Sequence, residues 1–132
     1  MGHFFVDCEI APISNPKKTA KATHLLVDTG SEFTWISGET LKELGVKVAK
    51  KDQPFLMANG QPITRSIGYA IVRSEGFETV DEVVFGAPGD LQLLGARTLE
   101  GFNALVDTRK KRLVASGPIP AAGAIRSKRT AR

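Results

Sequence analysis

An acidic residue stands directly after a short apolar run in the first third of the chain. Residues 25–31 read LLVDTGS, with Asp28 at the centre. Such a run is typical of a buried strand, and a carboxylate at its end would face a low-dielectric interior in which an unpaired charge is costly. A plain turn is the simpler interpretation, because Asp accepts backbone hydrogen bonds and Gly adopts positive φ. Asp28 is the candidate for acid–base chemistry.

Other catalytic motifs are missing from the sequence. It contains no G-x-x-x-x-G-K-[ST], no H-E-x-x-H and no G-x-S-x-G, which excludes the usual phosphate loop, zinc helix and nucleophile elbow. The two histidines, His3 and His24, show no metal-ligand spacing. The sequence therefore predicts neither a metal nor a cofactor.

Length and composition indicate one globular domain. The chain has 132 residues, of which 42% are hydrophobic and 24% charged, enough for one core. No apolar run approaches the roughly 18 residues of a membrane span. The single Cys8 cannot form an internal disulfide, and the N-terminus lacks the features of a secretory signal. We expect a cytoplasmic protein without a membrane partner.

The net charge of +4 is confined to the end of the chain. Residues 126–132 carry four basic side chains and no acid, whereas the remainder holds equal numbers of basic and acidic residues. This divides the chain into a domain at 1–117 and a basic, extended tail at 118–132. Contact of such a tail with nucleic acid would be nonspecific and sensitive to salt, and it has no aromatic residue to stack on bases.

Short strand-like segments dominate, so the sequence predicts an all-β, barrel-like domain. Ser37 and Gly45 suit the start and stop of a helix over 38–44, and Asn59-Gly60 predicts a two-residue hairpin. A second helix is predicted over 96–101. Strands are predicted at 3–10, 20–27, 33–36, 54–57, 61–73, 77–85, 102–107 and 111–115.

Three segments in this order resemble the retropepsin-like aspartic proteases, particularly the small bacterial and archaeal members. They are VDTGSEFTWI at 27–36, LMANGQPI at 56–63 and LLGARTLEGF at 93–102. The resemblance runs over residues 3–115. It implies a closed, mostly antiparallel β-barrel with one or two short helices, and an active site at a homodimer interface.

Aspartic proteases hydrolyse peptide bonds with two carboxylates that share one proton, since like charges about 3 Å apart cannot both ionise. This chain has one Asp-Thr-Gly, because Arg109 replaces the glycine in the sequence Asp107-Thr108-Arg109. The second carboxylate must then come from a second copy of the chain across a two-fold axis. We expect a homodimer that acts on peptides at acidic to mildly acidic pH.

The resemblance also implies roles for individual residues. Asp28 of each subunit would activate water, Thr29 would hydrogen-bond across the dimer, and Gly30 would let the backbone close beneath the carboxylates. Ser31 would bond the outer carboxylate oxygen, and Leu93-Leu94-Gly95 would pack beneath the loop. The substrate-binding residues implied are Ser31 and the flap residues Met57, Ala58, Asn59, Gly60 and Gln61.

Two other functions remain open from the sequence. The domain would be a catalytically inactive dimerisation or peptide-binding module if its groove held an extended peptide by strand addition without cleaving it. Retention of the whole Asp-Thr-Gly argues against this alternative. The basic tail, as a tether to nucleic acid, is the weaker hypothesis.

Overall fold

A computed structural model describes residues 3–121 of the chain. The predicted basic segment 126–132 lies outside the described residues. Within 3–121 the chain forms nine strands and two helices: β1 Phe5–Pro12, β2 Ala20–Val27, β3 Thr34–Ser37, α1 Gly38–Leu44, β4 Val48–Leu56, β5 Pro62–Ser74, β6 Phe77–Gly86, β7 Leu93–Leu94, α2 Ala96–Phe102, β8 Ala104–Asp107 and β9 Arg112–Ala115.

Seven strands form one sheet in the order β1-β2-β7-β3-β6-β5-β4, and β8 and β9 form a separate hairpin. The β2–β7 and β3–β6 pairs are parallel and the other ladders are antiparallel. Strand β1 also pairs with β5, with Ile10 opposite Val72. The mostly β architecture with two short helices confirms that part of the predicted fold. Neither helix in the described part is long and apolar enough to span a membrane.

Strand β5 is the longest element, and its two halves have different neighbours. On one side residues 62–68 pair with β4 and residues 70–73 pair with β1. On the other side the ladder with β6 begins only at Ile67. The first residues of β5 therefore belong to a two-stranded ribbon with β4 that extends beyond the main sheet.

Alternating side chains of the strands build the core. On β1, Val6, Cys8 and Ile10 are buried while their neighbours Phe5 and Asp7 are exposed, the period-2 pattern of a strand with one buried face. These residues join the main core cluster. A second core cluster lies under the β4–β5 ribbon and consists of Phe33, Trp35, Phe55, Ile63, Ile67, Val84 and Leu93.

The helix predicted at 38–44 is confirmed with those bounds, and Gly45 ends it at a φ of 83°. The predicted capping by Ser37 is wrong, because its side chain makes no cap hydrogen bond. Instead its backbone N–H donates to Oε1 of Gln92 at 2.8 Å. The start of α1 is thus joined to Gln92, 55 residues away, through the Ser37 backbone.

The hairpin predicted at Asn59-Gly60 exists, but a two-residue turn is wrong. Three residues separate Met57 from Gln61: the Met57 N–H donates to the Gln61 carbonyl at 2.9 Å, and the Gly60 N–H to the Met57 carbonyl at 2.8 Å. Gly60 alone in this loop has positive φ, 85°. This is the three-residue hairpin in which a left-handed residue follows a type I turn.

Strand β4 begins at Val48 rather than at Pro54. Its first half, VAKKDQ, has no apolar alternation, because it is an edge strand that pairs with β5 alone and its side chains are largely exposed. Register shifts interrupt this ladder. Pairing with β5, not side-chain burial, makes these residues a strand.

The burial of Leu41 on the inner face of α1 gives the first prediction. Leu41 is fully buried in the main core, whereas Leu56 is 75% exposed. Leu41→Ala should lower the free energy of unfolding by about 2–5 kcal/mol, because it leaves a cavity. Leu56→Ala, the same truncation at the surface, should change it by less than about 0.5 kcal/mol. Urea unfolding of both variants measures the difference, and equal effects would contradict this packing.

Candidate active site

Asp28 lies immediately after β2, and strand β7 fixes its backbone. Leu94 of β7 pairs in parallel with Val27, and the Asp28 N–H donates to the Leu94 carbonyl at 3.0 Å. Leu94 is fully buried. The predicted position of Leu93-Leu94-Gly95 beneath the loop therefore agrees with the structure.

The four residues of the Asp-Thr-Gly-Ser sequence form one tight turn. The Gly30 N–H donates to Oδ1 of Asp28 at 3.0 Å, and the Ser31 N–H donates to the Asp28 carbonyl at 3.1 Å. Within residues 3–121, no protein group donates a hydrogen bond to Oδ2 of Asp28. That oxygen is available to a water molecule or a substrate group.

The low-dielectric surroundings expected for the Asp28 carboxylate are not found within a single chain. Asp28 is half-buried, and Thr29 and Gly30 are exposed. The reason is that the strand ends at the surface of the chain, and the turn leaves the apolar interior at Asp28. One face of the turn is open to a ligand or to another protein surface.

Ser31 has a different partner from the one expected. Its Oγ donates to the Phe33 carbonyl at 3.1 Å, so the predicted bond to the outer carboxylate oxygen of Asp28 is wrong in the single chain. The hydroxyl closes the segment that follows the turn. Ser31 thus shapes the loop through a hydrogen bond from its side chain to a backbone carbonyl.

Helix α2 binds the far side of the same loop. The N–H groups of Ala96 and Arg97 donate to the carbonyls of Ser31 and Glu32, at 2.7 and 3.0 Å. The first N–H groups of a helix have no partner within the helix. Here the loop carbonyls supply that partner, so α2 and the Asp28 turn hold one another in place.

A buried polar chain runs beneath this contact. The Gly95 N–H donates to Oγ1 of Thr34 at 3.0 Å, and Thr98 Oγ1 donates to Oδ2 of Asp81 at 3.0 Å. The two threonine oxygens, both fully buried, lie 2.6 Å apart. Because the Thr98 proton is used on Asp81, Thr34 is the donor to Thr98. This chain was not predicted from the sequence, although a threonine inside the apolar run FTWI is a recognisable signal.

The five predicted flap residues, 57–61, lie together in the β4–β5 loop and are all exposed. The second core cluster links the ribbon to the strand that follows the Asp28 turn. The ring centroid of Phe55 lies 5.1 Å from that of Trp35 and 5.7 Å from that of Phe33. Aromatic packing therefore fixes the position of the hairpin relative to β3.

Charged side chains lie at the base of the hairpin. Arg65 makes two hydrogen bonds to Asp90, and these hold the pKa of the Asp90 carboxyl below its usual range. A cavity of about 870 Å³ lies beside this pair, with Trp35 and Leu91 among its lining residues. No local motif marked Arg65 or Asp90 in the sequence.

Other reactive groups do not form a competing site. Burial raises the pKa of the Cys8 thiol to about 11, so the thiol stays protonated at neutral pH and is a poor nucleophile. In residues 3–121 no group of three or more His, Cys, Asp or Glu side chains is placed to hold a metal ion. Asp28 is the best candidate for chemistry in this part of the chain.

The close approach of α2 and the loop gives the second prediction. A Cβ atom at Gly95 would lie 2.8 Å from the Glu32 carbonyl oxygen and closer still to that of Phe33. Gly95→Ala should therefore cost about 1–3 kcal/mol and expose the Ala96 and Arg97 amides to hydrogen exchange. Gly76→Ala, at an open position with a φ of 87°, should cost about 1–2 kcal/mol from strain without altering those amides. Protected Ala96 and Arg97 amides in Gly95→Ala would contradict the contact.

The fold is similar to that of a solved structure, the crystal structure of the retroviral protease-like domain of Ddi1 from Leishmania major. The two share 15% sequence identity with a TM-score of 0.55, over 93% of this chain and 98% of the other. At this identity the likeness shows a retropepsin-like fold and nothing of activity. Among curated proteins there is no significant match.

The sequence model of a protein family, described as aspartyl protease, matches residues 17–96. The match covers more than half of the chain. It includes the Asp28 turn, the β4–β5 hairpin and the Leu94 strand that holds the turn. The chain therefore belongs to the retropepsin-like aspartic protease family.

Proposed function

We propose that the protein is an aspartic endopeptidase. The observation that carries the proposal is the presentation of Asp28: its carboxylate is half-exposed, with one oxygen bonded by Gly30 and the other without a protein donor among residues 3–121. β7 accepts a hydrogen bond from its backbone N–H, and α2 donates to the carbonyls of Ser31 and Glu32 in the same loop. A carboxylate that is fixed in position and open to solvent suits the activation of water.

The proposed site needs two copies of the chain. In the homodimer the two Asp28 carboxylates would share one proton and bind one water molecule between them. The exposure of Thr29 and Gly30 supports this, because a partner turn can approach that face. In the proposal Thr29 hydrogen-bonds across the two-fold axis.

The reaction then follows from the shared proton. The ionised Asp28 accepts a proton from the water as the water oxygen bonds to the peptide carbon, and the protonated Asp28 donates to the carbonyl oxygen. Collapse of the resulting diol breaks the C–N bond, with a proton passing to the leaving nitrogen. The atoms and protons of these steps all come from the two Asp28 side chains, the water molecule and the peptide.

The β4–β5 loop is the proposed cover for substrate. Its residues Met57, Ala58, Asn59, Gly60 and Gln61 are exposed at the end of a projecting ribbon, as a flap that excludes water requires. Exposed apolar side chains at Leu56 and Met57 offer surface to a peptide.

A closed barrel is part of the proposal too, supported by the pairing of β1 with both β2 and β5. The cytoplasmic location stays a prediction.

One observation favours the alternative, an inactive peptide-binding domain. Strand β4 is the edge of the sheet and pairs with β5 alone, so its outer edge could accept an extended peptide by strand addition. In that case peptide would bind without being cleaved. Cleavage assays separate the two functions.

The third prediction concerns the carboxylate. Asp28→Asn keeps an oxygen for the Gly30 N–H but cannot act as acid or base, so cleavage should fall by about 10²–10⁴-fold. A mixed peptide library incubated between about pH 4 and 7 and read by mass spectrometry measures this, over the range that brackets titration of the pair.

The matched control is Asp107→Asn. Asp107 accepts the Arg109 and Lys110 N–H groups in the β8–β9 turn, and an asparagine oxygen can replace it. We expect unchanged cleavage in this variant. Full activity in Asp28→Asn would overturn the proposal, and peptide binding without cleavage in the unaltered protein would favour the alternative.

The fourth prediction tests the shared site. Asp28→Asn protein is mixed with a fixed amount of unaltered protein and allowed to exchange subunits. If mixed dimers are inactive, activity should fall to about half with one equivalent and about a quarter with three, as random pairing in a two-fold dimer requires. Activity independent of the added variant would show that one chain is sufficient.

A further inference from the structure

The Arg65–Asp90 ion pair is unusually well built for a pair at a protein surface. Arg65 Nε lies 2.7 Å from Oδ2 of Asp90 and Nη2 lies 3.0 Å from Oδ1. The side chains are 22% and 15% exposed. A bidentate, largely desolvated ion pair of this kind is stronger and more directional than an exposed pair.

Arg65 lies where strand β5 has little other support. It faces Gln53 of β4 in the part of β5 that precedes the ladder with β6, which starts at Ile67. A two-stranded ribbon is only marginally stable in water. The ion pair is therefore a polar tether from this ribbon to the body of the protein, in addition to the packing of Phe55 and Ile63.

Asp90 lies in the loop that leads from β6 to β7, the strand that bonds the backbone of Asp28. Its Oδ2 also accepts the Ala87 N–H at 2.7 Å, which closes the loop at 87–90. Two residues later the Gln92 carbonyl accepts the Leu26 N–H at 3.2 Å, and the Leu94 carbonyl then accepts that of Asp28. A short, hydrogen-bonded path thus joins the ribbon to the candidate catalytic residue.

We propose that the Arg65–Asp90 pair positions the β4–β5 ribbon over the substrate groove. The proposal rests on the proposed peptidase function. Neither residue takes part in the chemistry. By holding the ribbon against the loop at 87–92 before substrate arrives, the pair would reduce the ordering needed on binding. The cavity beside the pair is lined by Trp35 and Leu91 as well.

The fifth prediction compares two arginines of the same strand. Arg73 also lies in β5 and pairs with Glu78 at 2.6 Å, but β1 and β6 flank it on both sides. Arg65→Gln should raise KM for a cleaved peptide about tenfold, a loss of about 1.4 kcal/mol in binding, and should change kcat less than about threefold. Arg73→Gln should leave KM unchanged.

Conservative and reciprocal variants sharpen this test. Arg65→Lys keeps the charge but cannot form the bidentate contact, so its KM should lie between those of the unaltered protein and Arg65→Gln. Asp90→Asn should act like Arg65→Gln, and the exchange of both charges, Arg65→Asp with Asp90→Arg, should recover part of the loss. Equal KM values in Arg65→Gln and Arg73→Gln would overturn the proposal.

Hydrogen exchange, read by mass spectrometry, tests the positioning without any cleavage. In the Asp28→Asn background, Arg65→Gln should speed exchange in residues 54–66 and 87–92 and leave residues 69–81 unchanged. Unchanged exchange in 54–66 would overturn the positioning role even if the protein is a peptidase. Faster exchange in residues 54–66, together with a failure of the unaltered protein to cleave any peptide, would refute the peptidase and leave the tether established.

Discussion

The hydrogen bond from the Asp28 N–H to the Leu94 carbonyl is the contact on which the candidate site depends. Leu93 and Leu94 form a strand of only two residues, inserted between β2 and β3. Leu94 is fully buried, so apolar burial, rather than a long ladder, holds this strand. The position of the carboxylate is therefore a consequence of core packing.

Around that contact, polar groups that would lower the stability of the fold if left without a partner form hydrogen bonds with one another. The N–H groups at the start of α2 meet the carbonyls of Ser31 and Glu32, and the buried hydroxyls of Thr34 and Thr98 end on Asp81. A buried network with every member satisfied rigidifies its surroundings. The Asp28 turn is held from beneath by apolar burial and from one side by this network.

Charged side chains at the surface form a second set of contacts between these elements. Glu82 accepts from both Lys50 of β4 and Arg97 of α2, and the Arg97 guanidinium lies 4.5 Å from the Phe33 ring centroid. Single exposed pairs contribute little, but this set joins β4, β6, α2 and the Asp28 loop. Together with Arg65 and Asp90, it ties both arms of the hairpin to the body. Asp28 remains half-exposed, as the proposed two-chain site requires.

Local sequence patterns were sufficient for the family, for strand β2 and for helix α1. The apolar run before Asp28, the glycine after Leu44 and the order of the three motifs are signals that neighbouring residues carry by themselves. The start of β4 and the Arg65–Asp90 pair were decided only by the tertiary structure. Each depends on backbone or side-chain partners brought together by the sheet, 25 residues apart for Arg65 and Asp90, and no local pattern of apolar and polar residues encodes such a pairing.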